Sequence, residues 1–164
     1  MPPETLGVLD AWDNVCYLLG ACNTVLGRRR KRVVEDSVNK TCIEAKDAPP
    51  AVGPYSHAVS AGGFLYVSGM GPFTREGNAL EGSFEECVRL TFENLKAVLA
   101  AAGADLNHVV KTTVYLVDMN DFPELNRVYA ECFLADFPAR TTLQAARLPK
   151  GIPVEIDAIA IVQS

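Results

Sequence analysis

The sequence is poor in the residues that build metal centres. It has two histidines, His57 and His108, and its five cysteines (Cys16, Cys22, Cys42, Cys87 and Cys132) form no Cys-x-x-Cys pair. A structural zinc site draws about four such ligands at tight paired spacing, so no metal is expected. The thiols read instead as free, mostly buried groups in a reducing compartment. Long apolar runs are also missing: no stretch nears the roughly 20 residues of a membrane-spanning helix. Positive charge is short, with 15 Lys and Arg against 20 Asp and Glu and a formal net charge of −5. That balance speaks against a nucleic-acid binder with a basic face. With 49% hydrophobic and 21% charged residues, the 164-residue chain fits neither a disordered segment nor a fibrous repeat. A single, mildly acidic globular domain is what these absences leave.

Residues 1–37 follow a different grammar. Glu4, Asp10 and Asp13 precede a short apolar run from Val15 to Leu26, and Arg28-Arg29-Arg30-Lys31-Arg32 comes after it. A secretory signal puts its positive charge before the apolar segment, and organelle transit peptides are poor in acidic residues. The basic run has the composition of a nuclear address or an anionic-surface patch. It reads more simply as a solvated run on a poorly ordered extension, followed by a domain over 38–164. The extension balances five basic against five acidic residues, which leaves 10 basic and 15 acidic residues on the body. The body carries the whole negative charge and should not seek phosphate backbones. A cytoplasmic protein is expected, with nuclear or organelle targeting by the extension left open.

The body reads as strands, helix, strand, helix, strands. Asn39 to Ala45 is a short strand candidate ended by Pro49-Pro50, since consecutive prolines cannot continue a ladder. His57–Ala61 and Phe64–Ser68 flank Gly62-Gly63, a two-residue hairpin signal. Ser83-Phe84-Glu85-Glu86 is a capping box. Phe84, Cys87, Val88, Thr91, Phe92, Leu95, Val98, Leu99 and Ala102 then recur at helical spacing up to a left-handed stop at Gly103. Val109–Val117 alternates and is β-branched, and Phe122, Leu125, Val128, Tyr129, Cys132 and Phe133 mark a second helix. Thr141–Leu148 and Val154–Val162 close the pattern as strands around Pro149-Lys150-Gly151. Two helices must cover one face of this α+β sheet. The other face has no third helix to cover it, so sheets closing on sheets in an oligomer are expected.

Most catalytic signatures fail. Val67-Ser68-Gly69-Met70-Gly71 lacks the first glycine of a nucleophile elbow, and Gly69-Met70-Gly71 lacks the third glycine of a dinucleotide loop. His57 and His108 read as surface or strand-end residues. What remains is a charged cluster in strand-like surroundings: Arg140, Arg147, Glu155 and Asp157. Alternation puts Glu155 and Asp157 on one face with Ile159 and Ile161, opposite Val154, Ile156, Ala158 and Ala160. Such carboxylates are structural partners of an arginine, rim-exposed, or poised for proton transfer. An arginine fork matches a substrate carboxylate, and a neighbouring carboxylate can hold a water.

Spaced sequence blocks run from about Val38 to the C-terminus: Ala48-Pro49-Pro50-Ala51-Val52-Gly53-Pro54-Tyr55-Ser56, Val67-Ser68-Gly69 and Val110-Lys111-Thr112-Thr113-Val114-Tyr115-Leu116. Met119-Asn120-Asp121-Phe122 and the stretch from Asn126 through Tyr129 to Phe133 follow. The most diagnostic block is Phe137-Pro138-Ala139-Arg140-Thr141-Thr142, continued in Ala146–Gly151 and Val154-Glu155-Ile156. In these blocks and their order the sequence resembles the RidA (YjgF) family of enamine/imine deaminases.

The resemblance implies a chorismate-mutase-like α+β fold and a homotrimer whose sheets form a central barrel, with active sites between subunits. It implies hydrolysis of 2-aminoacrylate and related enamines and imines, released by pyridoxal-phosphate dehydratases, to 2-keto acids and ammonia. Such a hydrolase of C=N bonds uses no cofactor and serves metabolite damage control. Arg140 matches the arginine that clamps the substrate carboxylate, and Glu155 the glutamate that positions or activates water. Tyr55, Ser68, Gly69 and Asn126 match pocket positions, with the Gly69 backbone as a donor. Thr142, where many members carry cysteine, reads as a wall and backbone donor. Met70-Gly71-Pro72 departs from the usual Gln followed by Ile or Leu, a change expected to reshape the pocket mouth. The competing readings are a non-catalytic ligand-binding or chaperone-like trimer and an RNA-acting translation inhibitor. The partners expected are a carboxylate-bearing small molecule and further copies of the chain, with no membrane and no nucleic acid.

Overall fold

Strict alternation along Val154–Ile161 sets the architecture. Val154, Ile156, Ala158 and Ala160 are buried, while Glu155, Asp157 and Ile159 between them are half-buried and Ile161 is exposed. One face of this strand lies under helices and the other is open. The computed structural model describes residues 39–162, and the expectation for residues 1–37 lies outside them. In chain order the elements are β1 (Lys40–Ile43), β2 (Ala58–Ala61), β3 (Phe64–Met70), α1 (Phe84–Ala101), β4 (Val109–Leu116), α2 (Phe122–Phe133), β5 (Ala139–Gln144) and β6 (Val154–Ile161). The strands form one mixed sheet in the order β1-β2-β3-β6-β4-β5, antiparallel except for the β4–β5 pair. Among the described residues the sheet is open at both edges, so they close no barrel by themselves. No helix among the described residues is long and apolar enough to cross a membrane.

Local chemistry accounts for the elements. Gly62 and Gly63 turn the β2–β3 hairpin with φ of 59° and 81°, a pair of left-handed conformations that glycine adopts without a Cβ clash. The capping box forms as read: the Ser83 side chain accepts from the Glu86 amide, and the Ser83 amide donates to the Glu86 carboxylate at 2.8 Å. The buried stripe of α1 runs through Cys87, Val88, Thr91, Phe92, Leu95, Val98 and Leu99. Phe92 meets Tyr129 and Phe133 of α2 edge-on, with ring centroids 5.6 and 5.8 Å apart. Both helices therefore cover the same sheet face.

Two readings of the sequence need correction. The strand expected over Thr141–Leu148 is Ala139–Gln144. Its only neighbour among the described residues, β4, ends at Leu116, and after the Ala145 amide donates to the Leu116 carbonyl at 2.7 Å those residues offer the ladder no further partner. His57 is at a strand end but is not on the surface, being 7% exposed. Its Nδ1 accepts from the Ala45 amide at 3.0 Å and its Nε2 lies 2.9 Å from the Pro49 carbonyl. The ring thereby ties the proline-rich loop to the sheet.

Candidate active site

Arg140 leaves the edge strand β5 on the helix-covered face. One of its terminal nitrogens donates to Asn126 Oδ1 at 2.7 Å. Its guanidinium carbon stands 4.6 Å from the Tyr129 ring centroid and 5.4 Å from that of Phe122. Phe122, Asn126 and Tyr129 are spaced i, i+4, i+7 along α2, so one helical stripe supplies both aromatic rings and the amide. Tyr129 is in turn fixed by a 2.8 Å hydrogen bond between its hydroxyl and that of Thr112, and burial pushes its phenol upward. The guanidinium is thus held in one plane over a cleft of ≈ 300 Å³ lined by Asn126, Tyr129, Ala130, Phe137, Pro138 and Arg140. Thr142 shares this face two residues on. Its Oγ1 is buried with no hydrogen-bond partner among the described residues.

Glu155 lies on the other face. In β3 the register slips between Val67, opposite Ala158, and Met70, opposite Ile156, so Ser68 and Gly69 form a bulge beside β6. The bulge lays Gly69 against the Glu155 side chain. A Cβ built on Gly69 would stand 2.8 Å from Glu155 Cδ, so no other residue fits there without moving the carboxyl. Burial first, and the Asp157 charge second, hold the Glu155 carboxyl above the usual carboxylate range. Ser68 Oγ donates to the Ser56 carbonyl at 2.7 Å and so docks the Tyr55 loop on the bulge. Tyr55 and Gly69 line one small cavity of ≈ 30 Å³, and the Tyr55 hydroxyl accepts from the Val52 amide at 3.3 Å.

The residues singled out in the sequence therefore form two groups. Arg140, Asn126 and Thr142 gather under α2, whereas Tyr55, Ser68, Gly69 and Glu155 gather around the bulge. Arg140 pairs with Thr112, which pairs with Ala158, three residues from Glu155. Two strand spacings and three residue rises put the two backbones about 14 Å apart, with the side chains on opposite faces. The cleft beside Arg140 is lined by no residue of the bulge group, and the small cavity at the bulge by none of the Arg140 group. Arg147, the other arginine of the charged cluster, follows β5 in an exposed stretch.

Met70, Gly71 and Pro72 are buried, and Met70 and Gly71 line the small cavity shared with Tyr55 and Gly69. Met70 is buried opposite Ile156, and the space beside Gly71 is filled by Ile152 and the Phe73 ring, 2.8 Å from a Cβ built there. Asn94 of α1 fixes this loop, donating to the carbonyls of Gly71 and Phe73 at 2.9 Å each. The aromatic seat of Arg140 was missed because Phe122 and Tyr129 read as core positions. Their i, i+7 spacing around a polar Asn126 was the available signal.

A RutC family protein of Pyrococcus horikoshii is 47% identical over 122 residues, covering 74% of this chain and 97% of that protein. The mouse 2-iminobutanoate/2-iminopropanoate deaminase is 44% identical over 126 residues, covering 76% and 93%. Among solved structures, Escherichia coli TdcF with bound serine superposes with a TM-score of 0.70 at 37% identity, covering 75% of this chain and 99% of that one. Residues 45–162 match the endoribonuclease L-PSP family, and the chain belongs to that family, which includes the YjgF and RidA proteins.

Proposed function

We propose that the protein hydrolyses 2-imino acids, the tautomers of 2-enamines such as 2-aminoacrylate, to 2-keto acids and ammonium. The observation that carries this reading is the seated guanidinium. Asn126 engages one arm of Arg140 and two rings fix its plane, which leaves the rest of the fork for an anion in the cleft. A small carboxylate is the natural guest for a planar fork of this kind. The mouse relative's name and the serine bound in TdcF support an amino-acid-sized ligand.

The chemistry asks little of the protein. An iminium carbon is already electrophilic, so binding, orientation and proton transfer suffice, and no cofactor enters the proposal. Water adds to the C=N carbon and passes a proton to Glu155. The carbinolamine nitrogen takes that proton back, the C–N bond breaks with its electron pair on nitrogen, and the hydroxyl proton passes through Glu155 to the released ammonia, giving the keto acid and ammonium. A carboxyl that accepts and returns a proton works best when its affinity lies nearer the working pH than an ordinary carboxylate's. The raised Glu155 suits that role.

A single chain keeps Arg140 and Glu155 on opposite faces, so the proposal requires a second copy. The open face supplies a reason to associate: Phe64, Tyr66 and Ile161 are 41%, 47% and 50% exposed there. In the proposed homotrimer these faces close into a central barrel. The group on one copy (Arg140, Asn126, Thr142) then meets the group on the next (Tyr55, Ser68, Gly69, Glu155). The setting proposed is the cytoplasm, where the protein clears reactive imines. An RNA-acting role, named in the family's description, finds little support in a body with more acidic than basic residues.

The test is a coupled assay in which a serine dehydratase generates 2-aminoacrylate and pyruvate formation is followed. The full chain is expected to accelerate it and the Arg140→Ala variant not to. Equal rates with and without the wild-type chain would reject the proposal.

A further inference from the structure

Glu155 has companions on the open face. Asp157 follows it by one alternation step on β6, and Tyr115 of β4 lies directly across from Glu155. The Tyr115 hydroxyl does not turn to its cross-strand partner. It donates diagonally to Asp157 Oδ2 at 2.9 Å, and this bond together with burial pushes the Tyr115 phenol upward. The Tyr115 hydroxyl proton is therefore committed to Asp157. The two carboxylate residues are same-face neighbours on β6: Asp157 turns to Tyr115 of β4, while Glu155 lies against Gly69 of β3 and is desolvated.

Among the described residues of one chain, no other ionisable group on this face offsets this arrangement, and Arg140 of the next copy enters only in the proposed assembly. Lys111, the cation of β4 on this face, sits across from Ile159. Its Nζ donates to the Thr112 carbonyl at 2.7 Å and to Thr141 Oγ1 at 2.9 Å. From β3 the nearest ionisable side chain is Tyr66, also opposite Ile159, and β5 presents Thr141 and Leu143.

We propose that Asp157, anchored by the Tyr115 hydroxyl, is a positioning residue for the deamination. Its fixed negative charge beside Glu155 keeps the Glu155 proton affinity high enough for the carboxyl to take a proton from water and return it to the departing amine. The inference rests on the proposed imine hydrolysis and adds the pair that raises the Glu155 proton affinity beyond the effect of burial.

The test follows the Glu155 carboxyl directly, by NMR titration of the full chain carrying 13C-labelled glutamate, with Glu155→Gln assigning the resonance. In Asp157→Asn the Glu155 midpoint is expected to fall. The acidic limb of the kcat profile should move the same way, with kcat at neutral pH down on the order of three- to ten-fold and KM nearly unchanged. Tyr115→Phe should move both readouts in the same direction by less, and Asp157→Glu should restore them. An unmoved Glu155 midpoint in Asp157→Asn, with an active wild-type chain, overturns the positioning role alone. A wild-type chain that hydrolyses no imine at any pH overturns the deaminase reading as well, even where the titration shows the coupling.

Discussion

At the scale of single residues, the proposed binding and proton-transfer roles fall to different side chains. Arg140→Ala should lose on the order of 2–5 kcal/mol of transition-state stabilisation, read as kcat/KM in the dehydratase-coupled assay, with an unchanged circular dichroism spectrum. Arg140→Lys should recover little of it, because a point charge replaces a fork that Asn126 and two rings hold in register. Gly69→Ala should reduce turnover by displacing the Glu155 carboxyl that lies against it. Glu155 also leaves a mark on stability. Its folded-state proton affinity is raised, so its contribution is whole below the unfolded value of about 4.3 and is lost as pH rises through the folded value. Glu155→Gln should therefore melt at a higher temperature than wild type near neutral pH, and the two should converge at about pH 4.

At the scale of elements, local signals were legible and long-range ones were not. The Ser83 capping box, the α1 stripe and the Gly62-Gly63 hairpin depend on residues within a few positions of one another, and each forms where the sequence places it. Ser83→Ala should cost about 1 kcal/mol in urea denaturation by stripping the helix of its cap. Phe92→Ala should cost about 3–5 kcal/mol, since that ring joins α1 to both aromatic neighbours on α2. The end of β5 was not legible, because it is set by where β4 stops supplying partners. The bulge at Ser68-Gly69 was hidden for a similar reason: it exists in the pairing of β3 with β6, not in either strand alone. Alternation correctly put Glu155 and Asp157 on one face. Only the parallel register of β5 reveals that Arg140 points to the other.

At the scale of the whole molecule, that separation turns a question of chemistry into one of assembly. The open face of the sheet carries Phe64 and Tyr66, with ring centroids 6.4 Å apart, beside Ile159 and Ile161. Tyr66→Glu should abolish both self-association, read by sedimentation equilibrium, and turnover, whereas substitutions on the outer surface of α1 should abolish neither. The most direct measurement combines two inactive variants. Arg140→Ala and Glu155→Gln chains are unfolded together, refolded as an equal mixture and assayed for imine hydrolysis. If each site takes its arginine from one copy and its glutamate from the next, random mixing rebuilds about a quarter of the sites, and activity should return to that level. Activity no greater than the sum of the two variants refolded separately would contradict a site shared between copies.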